Sequence, residues 1–441
     1  MYSKQLEKVL KDNKIAVGDP IQIEKHKKLY QGVLMPGTET QANDTLMIKL
    51  VNGYNVGISI DATTRITKSA HPKQEKEKHE HRKQDKTKPS ISLVSTGGTI
   101  ASRVDYTTGG VSPALDAHEI IDSIPELLDF VYIADMTNPM NVASEDILPS
   151  DWQNLAKELE KKLNSDIEGV VVTHGTDTMH YTTAAMSFML DTPKPVVFVG
   201  SQRSSDRPSS DASMNLLCAS YLAGYSDIAE IGVCMHANTS DSFCLFNRGT
   251  KVKKLHTSRR DAFRPINDLP LARVFPHGEI SILNKNYKKK SDDAKARAMT
   301  KFEDKVAIIK AYPGCDPEII DHYVSKGYRG LVVEATGLGH VPTNSKKSWK
   351  ASIQSAIKKD VIVAFAPQTQ YGRLDPNVYA NGRIMKDSGV VYCEDMLPET
   401  AYVKLGWLLG NYKNIDEARQ LMAQNLKGEI TARTLPETFL Y

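Results

Sequence analysis

A chain of 441 residues exceeds what one hydrophobic core ordinarily serves, so two or three domains are expected. Its 56 basic and 53 acidic residues leave a formal charge of only +3, which argues against a dedicated nucleic-acid binder. Five scattered cysteines with no C-x-x-C pair argue against a disulfide framework or a thiolate zinc site and fit a reducing compartment.

The first twelve residues are charged throughout and lack the apolar stretch of a signal peptide. No apolar run approaches the roughly 20 residues a membrane helix needs, so a cytoplasmic protein is expected. Leu6, Val9 and Leu10 give the opening segment one apolar helical face. Short β-type runs follow at residues 21–23, 31–35, 45–50 and 55–60, separated by turn signals such as Pro36-Gly37 and Asn52-Gly53. Residues 1–68 therefore read as a small SH3-like β-barrel without a catalytic cluster, suited to an adaptor role. Residues 69–90 are almost wholly charged or polar and read as a solvated linker. Its His71, His79 and His81 have no rigid framework to gather them around a metal.

From residue 91 strands and helices alternate. The continuous apolar runs at 91–95, 169–173 and 195–199 fit buried parallel strands, and amphipathic helices are expected over 152–163 and 182–190. A second βα series starts near residue 305, with runs at 306–309, 330–334 and 361–365. A Lys-rich stretch over 285–301 divides the two. The expected fold class is α/β: a larger domain over 91–284 carrying the chemistry and a smaller one over 301–441, preceded by the small barrel.

In an open parallel sheet, ligands sit beyond the carboxyl ends of the strands. Two such ends carry unusual sequences. In TGGTIAS (residues 96–102), Gly97 and Gly98 let the backbone turn sharply and present Thr99 at the strand tip. In HGTDTM (residues 174–179), Gly175 gives access while Thr176 and Asp177 set a hydroxyl beside a carboxylate. Alone, a Gly-Gly turn is commonly only a turn, and a Thr at a helix start is commonly a cap. Together they favour a hydroxyl-nucleophile site. A threonine hydroxyl needs a neighbouring base, which a lysine can supply. The basic segment 248–263 offers Lys251, Lys253 and Lys254, and spacing does not select among them. Most of its charges are expected at the surface.

The two motifs, in this order, resemble the signatures of the L-asparaginase and glutaminase family, and the similarity runs from about residue 91 to 441. The resemblance implies amide hydrolysis through an acyl-enzyme, with no metal or organic cofactor in this chain. It implies Thr99 as nucleophile, Thr176 and Asp177 as the second catalytic threonine and its aspartate, and Tyr106 as a mobile-loop tyrosine closing on substrate. Lys254 is the best match to the catalytic lysine, with Lys251 and Lys253 as competitors. Gly98, Ser144, Glu145 and Gly175 are implied around the substrate, Glu145 at a variable place. About ninety residues precede the first motif, and with the HTSRRDAF segment (residues 256–263) they resemble the ammonia-releasing subunits of archaeal-type Glu-tRNA(Gln) amidotransferases. That resemblance implies a glutaminase working within a heterotetramer built on a homodimer of this chain. Its partner would be the amidotransferase's kinase and transamidase subunit, which binds tRNA and uses ATP and Mg to activate the glutamyl group. The alternatives are a free-standing cytoplasmic L-asparaginase and an inactive scaffold for a tRNA-modifying partner.

Overall fold

The computed structural model describes residues 2–26, 28–37, 42–50, 55–69, 84–97, 102–104, 111–113, 124–203 and 209–440. Helix α1 (Lys4–Asp12) is capped by Ser3, whose hydroxyl accepts from the Leu6 N–H. Its Leu6 and Leu10 share a small core with Ile21, Ile23, Leu34, Leu46, Ile48 and Ile66. These come from an antiparallel sheet of β1 (Pro20–Lys25), β2 (Lys28–Leu34), β3 (Thr45–Leu50), β4 (Asn55–Ser59) and β5 (Arg65–Lys68), ordered β4-β3-β2-β1-β5. The sequence shows no signal for β5, whose single buried residue, Ile66, is too little for a visible alternation.

The main sheet has eight strands. Five run parallel in the order β9 (Tyr132–Thr137), β6 (Ser90–Ser95), β10 (Gly169–Thr173), β12 (Val196–Val199) and β13 (Ile231–His236). Every residue of β10, β12 and β13 is buried, which explains their largely apolar sequences. Three antiparallel strands extend this sheet: β14 (Cys244–Arg248), β17 (Ala272–Phe275) and β18 (Glu279–Ile282). Short two-stranded pairs lie outside it: β7 (Ser102–Val104) with β8 (Val111–Pro113), β11 (Leu190–Asp191) with β19 (Arg297–Ala298), and β15 (Val252–Lys254) with β16 (Phe263–Pro265). Helices α2 (Pro149–Leu163), α3 (Met179–Met189) and α4 (Ala212–Tyr225) pack on the main sheet.

A second sheet is wholly parallel, ordered β20 (Val306–Lys310), β21 (Gly330–Ala335), β22 (Ile362–Pro367), β23 (Val391–Tyr392). Its helices are α5 (Glu318–Ser325), α6 (Lys350–Lys358), α7 (Ala380–Asp387), α8 (Pro398–Asn411) and α9 (Ile415–Met422). The two halves share one core through α8, which packs on α3 and on β20 to β22. There Trp407 stacks on Phe188 at 5.8 Å and donates its indole N–H to the Met299 carbonyl at 2.9 Å. A polar seam runs beside it: Thr400 donates to the Thr250 carbonyl and Thr250 to that of Lys427, both at 3.0 Å.

All five cysteines are free and buried. Among the described residues no helix is long and apolar enough to cross a membrane. Histidines 71, 79 and 81 lie outside the described residues. In the last part of the charged stretch Asp85, Lys86 and Thr87 are exposed, and two flanking residues anchor it to the core. Gln84 accepts from the Ile133 N–H at 2.8 Å, and Lys88 donates to the Leu128 carbonyl at 2.8 Å.

Candidate active site

Strands β6 and β10 lie side by side in parallel, with Ser95 opposite Thr173, so both glycine-containing motifs leave the sheet at the same edge. The Thr96 N–H and hydroxyl both donate to the Thr173 carbonyl, at 3.0 and 2.9 Å, which ties the two strand ends together. Gly97 follows at φ +99°, where a side chain would be strained; a Cβ would also lie 2.8 Å from the Val142 carbonyl oxygen. Gly98, Thr99 and Tyr106 lie outside the described residues.

The second motif is described throughout. His174 is buried, and its backbone N–H donates to the Val199 carbonyl at 2.9 Å. Its Nδ1 lies 2.6 Å from the Gly175 carbonyl, which can only accept, so Nδ1 carries the proton. Burial pushes its pKa down to about 4, so the ring is neutral and adds no charge. At Gly175 a Cβ would stand 2.7 Å from the Ser144 Cβ, and this close approach seats Ser144 directly on the motif. Thr178 donates to the Ser144 carbonyl and holds that seat. Ser144 is buried and Glu145, its neighbour on the same 3-10 turn, is exposed.

Thr176 is 6% exposed, while the Asp177 carboxylate is 65% exposed. Lys254 joins them: its Nζ donates to Thr176 Oγ1 at 2.9 Å and to Asp177 Oδ1 at 2.6 Å. It sits at the end of β15, opposite the buried Phe263, and the next residue continues the hairpin through a Leu255 N–H to Ala262 carbonyl bond of 2.7 Å. Successive side chains of a strand point to opposite faces. Lys253 accordingly faces away from Lys254 and pairs with Glu399 at 2.7 Å, while Lys251, just before the strand, pairs with Asp395 at 2.8 Å. Lys251 is fully buried, and desolvation lowers its pKa against the opposing pull of Asp395. Arg248 is buried as well, bound through Nε to Glu230 at 2.9 Å. The expectation that most charges of this segment lie at the surface is corrected here, because buried carboxylates draw its first cations inside.

The resulting arrangement is a hydroxyl in contact with an amine that a carboxylate orients, the set of groups that activates an oxygen nucleophile or moves its proton. Sequence reading missed Asp395 and Glu399, which pair with Lys251 and Lys253 and are carried by α8 and the segment that leads into it. Both are remote from the basic segment along the chain, with no local spacing to reveal them.

Comparison with known proteins bears on the whole chain. Residues 90–288 match the asparaginase N-terminal family model and residues 305–422 the glutaminase/asparaginase C-terminal domain model. Residues 15–68 match the GatD N-terminal domain model. The GatD subunit of the glutamyl-tRNA(Gln) amidotransferase of Pyrococcus abyssi is 48% identical, over 99% of this chain and 100% of its own length. The chain belongs to the GatD family of glutamyl-tRNA(Gln) amidotransferase subunits. The GatD of Methanothermobacter thermautotrophicus is 45% identical, over 98% of each chain. Among solved structures, the thermostable L-asparaginase of Thermococcus kodakarensis superposes with a TM-score of 0.69 at 29% identity, covering 78% of this chain and 100% of that one. L-asparaginase I of Vibrio cholerae gives 0.67 at 28% identity, covering 78% and 99%. The two-part asparaginase-type α/β core with a small β-rich N-terminal unit is thus the fold of this GatD family member.

Proposed function

We infer that this chain is the glutaminase subunit of a tRNA-dependent amidotransferase, releasing ammonia that a partner uses to convert Glu-tRNA(Gln) to Gln-tRNA(Gln). The observation that carries this reading is the bond of Lys254 to both Thr176 and Asp177 at the strand edge where the first motif also emerges. In the proposed reaction the Thr99 hydroxyl attacks the carboxamide carbon of glutamine, and its proton passes to the departing nitrogen, giving a glutamyl ester and ammonia. Water then cleaves the ester, giving glutamate and restoring the hydroxyl. Thr176, Lys254 and Asp177 move the protons, Tyr106 closes over the substrate, and backbone N–H groups stabilise the oxyanion. The exposed Asp177 and Glu145 carboxylates suit the α-ammonium group, and Ser144, set against Gly175, suits the α-carboxylate.

Trapping the protein with a diazo-ketone analogue of glutamine and mapping the adduct tests the nucleophile. The label is expected on Thr99; a label on Thr176 would overturn the assignment.

The name of the relatives supports a complex with another amidotransferase subunit. We propose that this partner is the tRNA-binding kinase and transamidase, with ATP and Mg bound there, in a heterotetramer built on a homodimer of this chain. Residues 1–68 serve the partner in this reading, because they form a separate core without a catalytic cluster. A chain starting near Lys88 is expected to hydrolyse glutamine but to support transamidation poorly. Equal transamidation by truncated and full-length chains would remove the adaptor role. The likeness to L-asparaginases favours a second reading, a free-standing amidase. Full hydrolysis of asparagine without any partner, and no transamidation with one, is the result that would favour it.

A further inference from the structure

The hairpin that carries Lys254 lies outside the main sheet, and only three residues pair on each of its strands, β15 and β16. What fixes its tip therefore bears on where the Lys254 amine sits. Arg260, in that tip, donates through Nη1 to Asp241 Oδ1 at 2.6 Å and through Nη2 to the Thr239 carbonyl. Asp241 is exposed, on the segment that follows β13. The same Oδ1 faces Nε2 of His236, the last residue of β13, at 3.0 Å. His236 is buried, and its other ring nitrogen, Nδ1, lies 2.6 Å from Asn215 Oδ1.

The neighbours of Asn215 fix which way these bonds run. Its Nδ2 donates to the Gly200 carbonyl and to Asp211 Oδ2, both at 2.9 Å, and both of those oxygens accept. Its Oδ1 also accepts from the His236 backbone N–H at 3.0 Å. With this oxygen on one side and a carboxylate on the other, the imidazole donates from both nitrogens. The bond from His236, with the Arg260 charge behind it, holds the Asp241 carboxyl below the usual carboxylate range. At the far end of this run, the Gly200 backbone rests on the second motif. A Cβ there would stand 2.6 Å from the His174 carbonyl oxygen and 3.0 Å from the Thr176 methyl carbon. Asp211 secures the residues that follow, accepting from the Gln202 and Arg203 N–H groups at 3.0 and 3.1 Å. One run of bonds thus joins the backbone behind Thr176 to the tip of the hairpin that holds Lys254.

We propose that His236 is a positioning residue for the amide hydrolysis: bridging Asn215 and Asp241, it sets the Lys254 hairpin against Thr176. The inference rests on the glutaminase reading above. Cutting the bridge leaves every reacting group in the chain but frees the hairpin tip. A misplacement of about 1 Å can cost up to about 10²-fold in rate.

The test measures ammonia release from L-glutamine by the full-length chain in its reconstituted complex, with melting curves for every variant. His236→Phe removes both donors, and Asp241→Ala cuts the same bridge at its exposed end. Each is expected to lose about 10-fold in kcat with KM within about twofold, as for a misplaced proton-transfer group rather than a lost substrate contact. The double variant is expected within about twofold of the worse single one, because both changes cut one link. A purely structural histidine predicts instead a lower Tm in His236→Phe with unchanged kcat below melting. Normal kcat in either single variant, or losses that multiply to about 100-fold in the double, would overturn the proposal. Should His236→Phe fail to fold, Asp241→Ala, Arg260→Met and their double variant make the same comparison. Lys254→Met separates the two readings. If it stays active the glutaminase mechanism fails, whereas an inactive Lys254→Met with a normal Asp241→Ala removes only the present inference.

Discussion

Replacing Lys254 with methionine is expected to lower glutamine hydrolysis about 10²-fold or more, the range for losing a positioned proton-transfer group. Methionine keeps the apolar stem but removes the donor that now bonds Thr176 Oγ1 at 2.9 Å and Asp177 Oδ1 at 2.6 Å. Folding should survive, because Asp177 is 65% exposed and water can take over its solvation. Lys251→Met offers the contrast. It removes the nearer of the two cations from the buried Asp395, leaving Arg373 at 3.8 Å and the Thr431 N–H and hydroxyl; breaking a buried pair outright typically costs about 3–5 kcal/mol, and the loss here is expected below that. Lys251→Met should therefore show a fall in Tm, and Lys254→Met a fall in kcat at nearly unchanged Tm. The opposite pattern, with normal turnover in Lys254→Met, would shift the catalytic role to another lysine.

How much of this is legible in the sequence depends on how local the signal is. Strands β6, β10 and β12 are visible because burial on both faces imposes apolar runs, and their glycine-containing exits mark where a backbone must turn tightly. Helices α4 and α8 give no amphipathic pattern because they are buried nearly all round, and so carry apolar residues on every face. The antiparallel strands β14, β17 and β18 are hidden for a different reason. They are four or five residues long, and β14 mixes Cys244, Asn247 and Arg248 into a wholly buried stretch. Among three neighbouring lysines, spacing alone does not choose. The choice follows from strand alternation combined with the arrival of Glu399 and of Asp395, the latter 144 residues beyond Lys251. Such partners are carried by α8 and the segment that leads into it, which no local pattern records.

A chain that contributes ammonia, and nothing else, to the transamidation should be dispensable once ammonia is supplied from outside. Thr176→Ala removes the hydroxyl that Lys254 bonds while leaving a small side chain against Gly200, where a Cβ would already come within 3.0 Å of the threonine methyl. The fold should hold, and glutamine-driven product formation should fall by at least about 10²-fold. Activation of the glutamyl group by ATP, proposed for the partner, should be untouched. The decisive measurement is Gln-tRNA(Gln) formation by the reconstituted Thr176→Ala complex, supplied in parallel with glutamine and with a high concentration of ammonium. Near-complete loss with glutamine and near-parental formation with ammonium are expected, since free ammonia bypasses the acyl-enzyme. Loss of both activities in an intact complex would mean that Thr176 acts beyond hydrolysis, and retention of the glutamine-driven reaction would contradict the threonine mechanism outright.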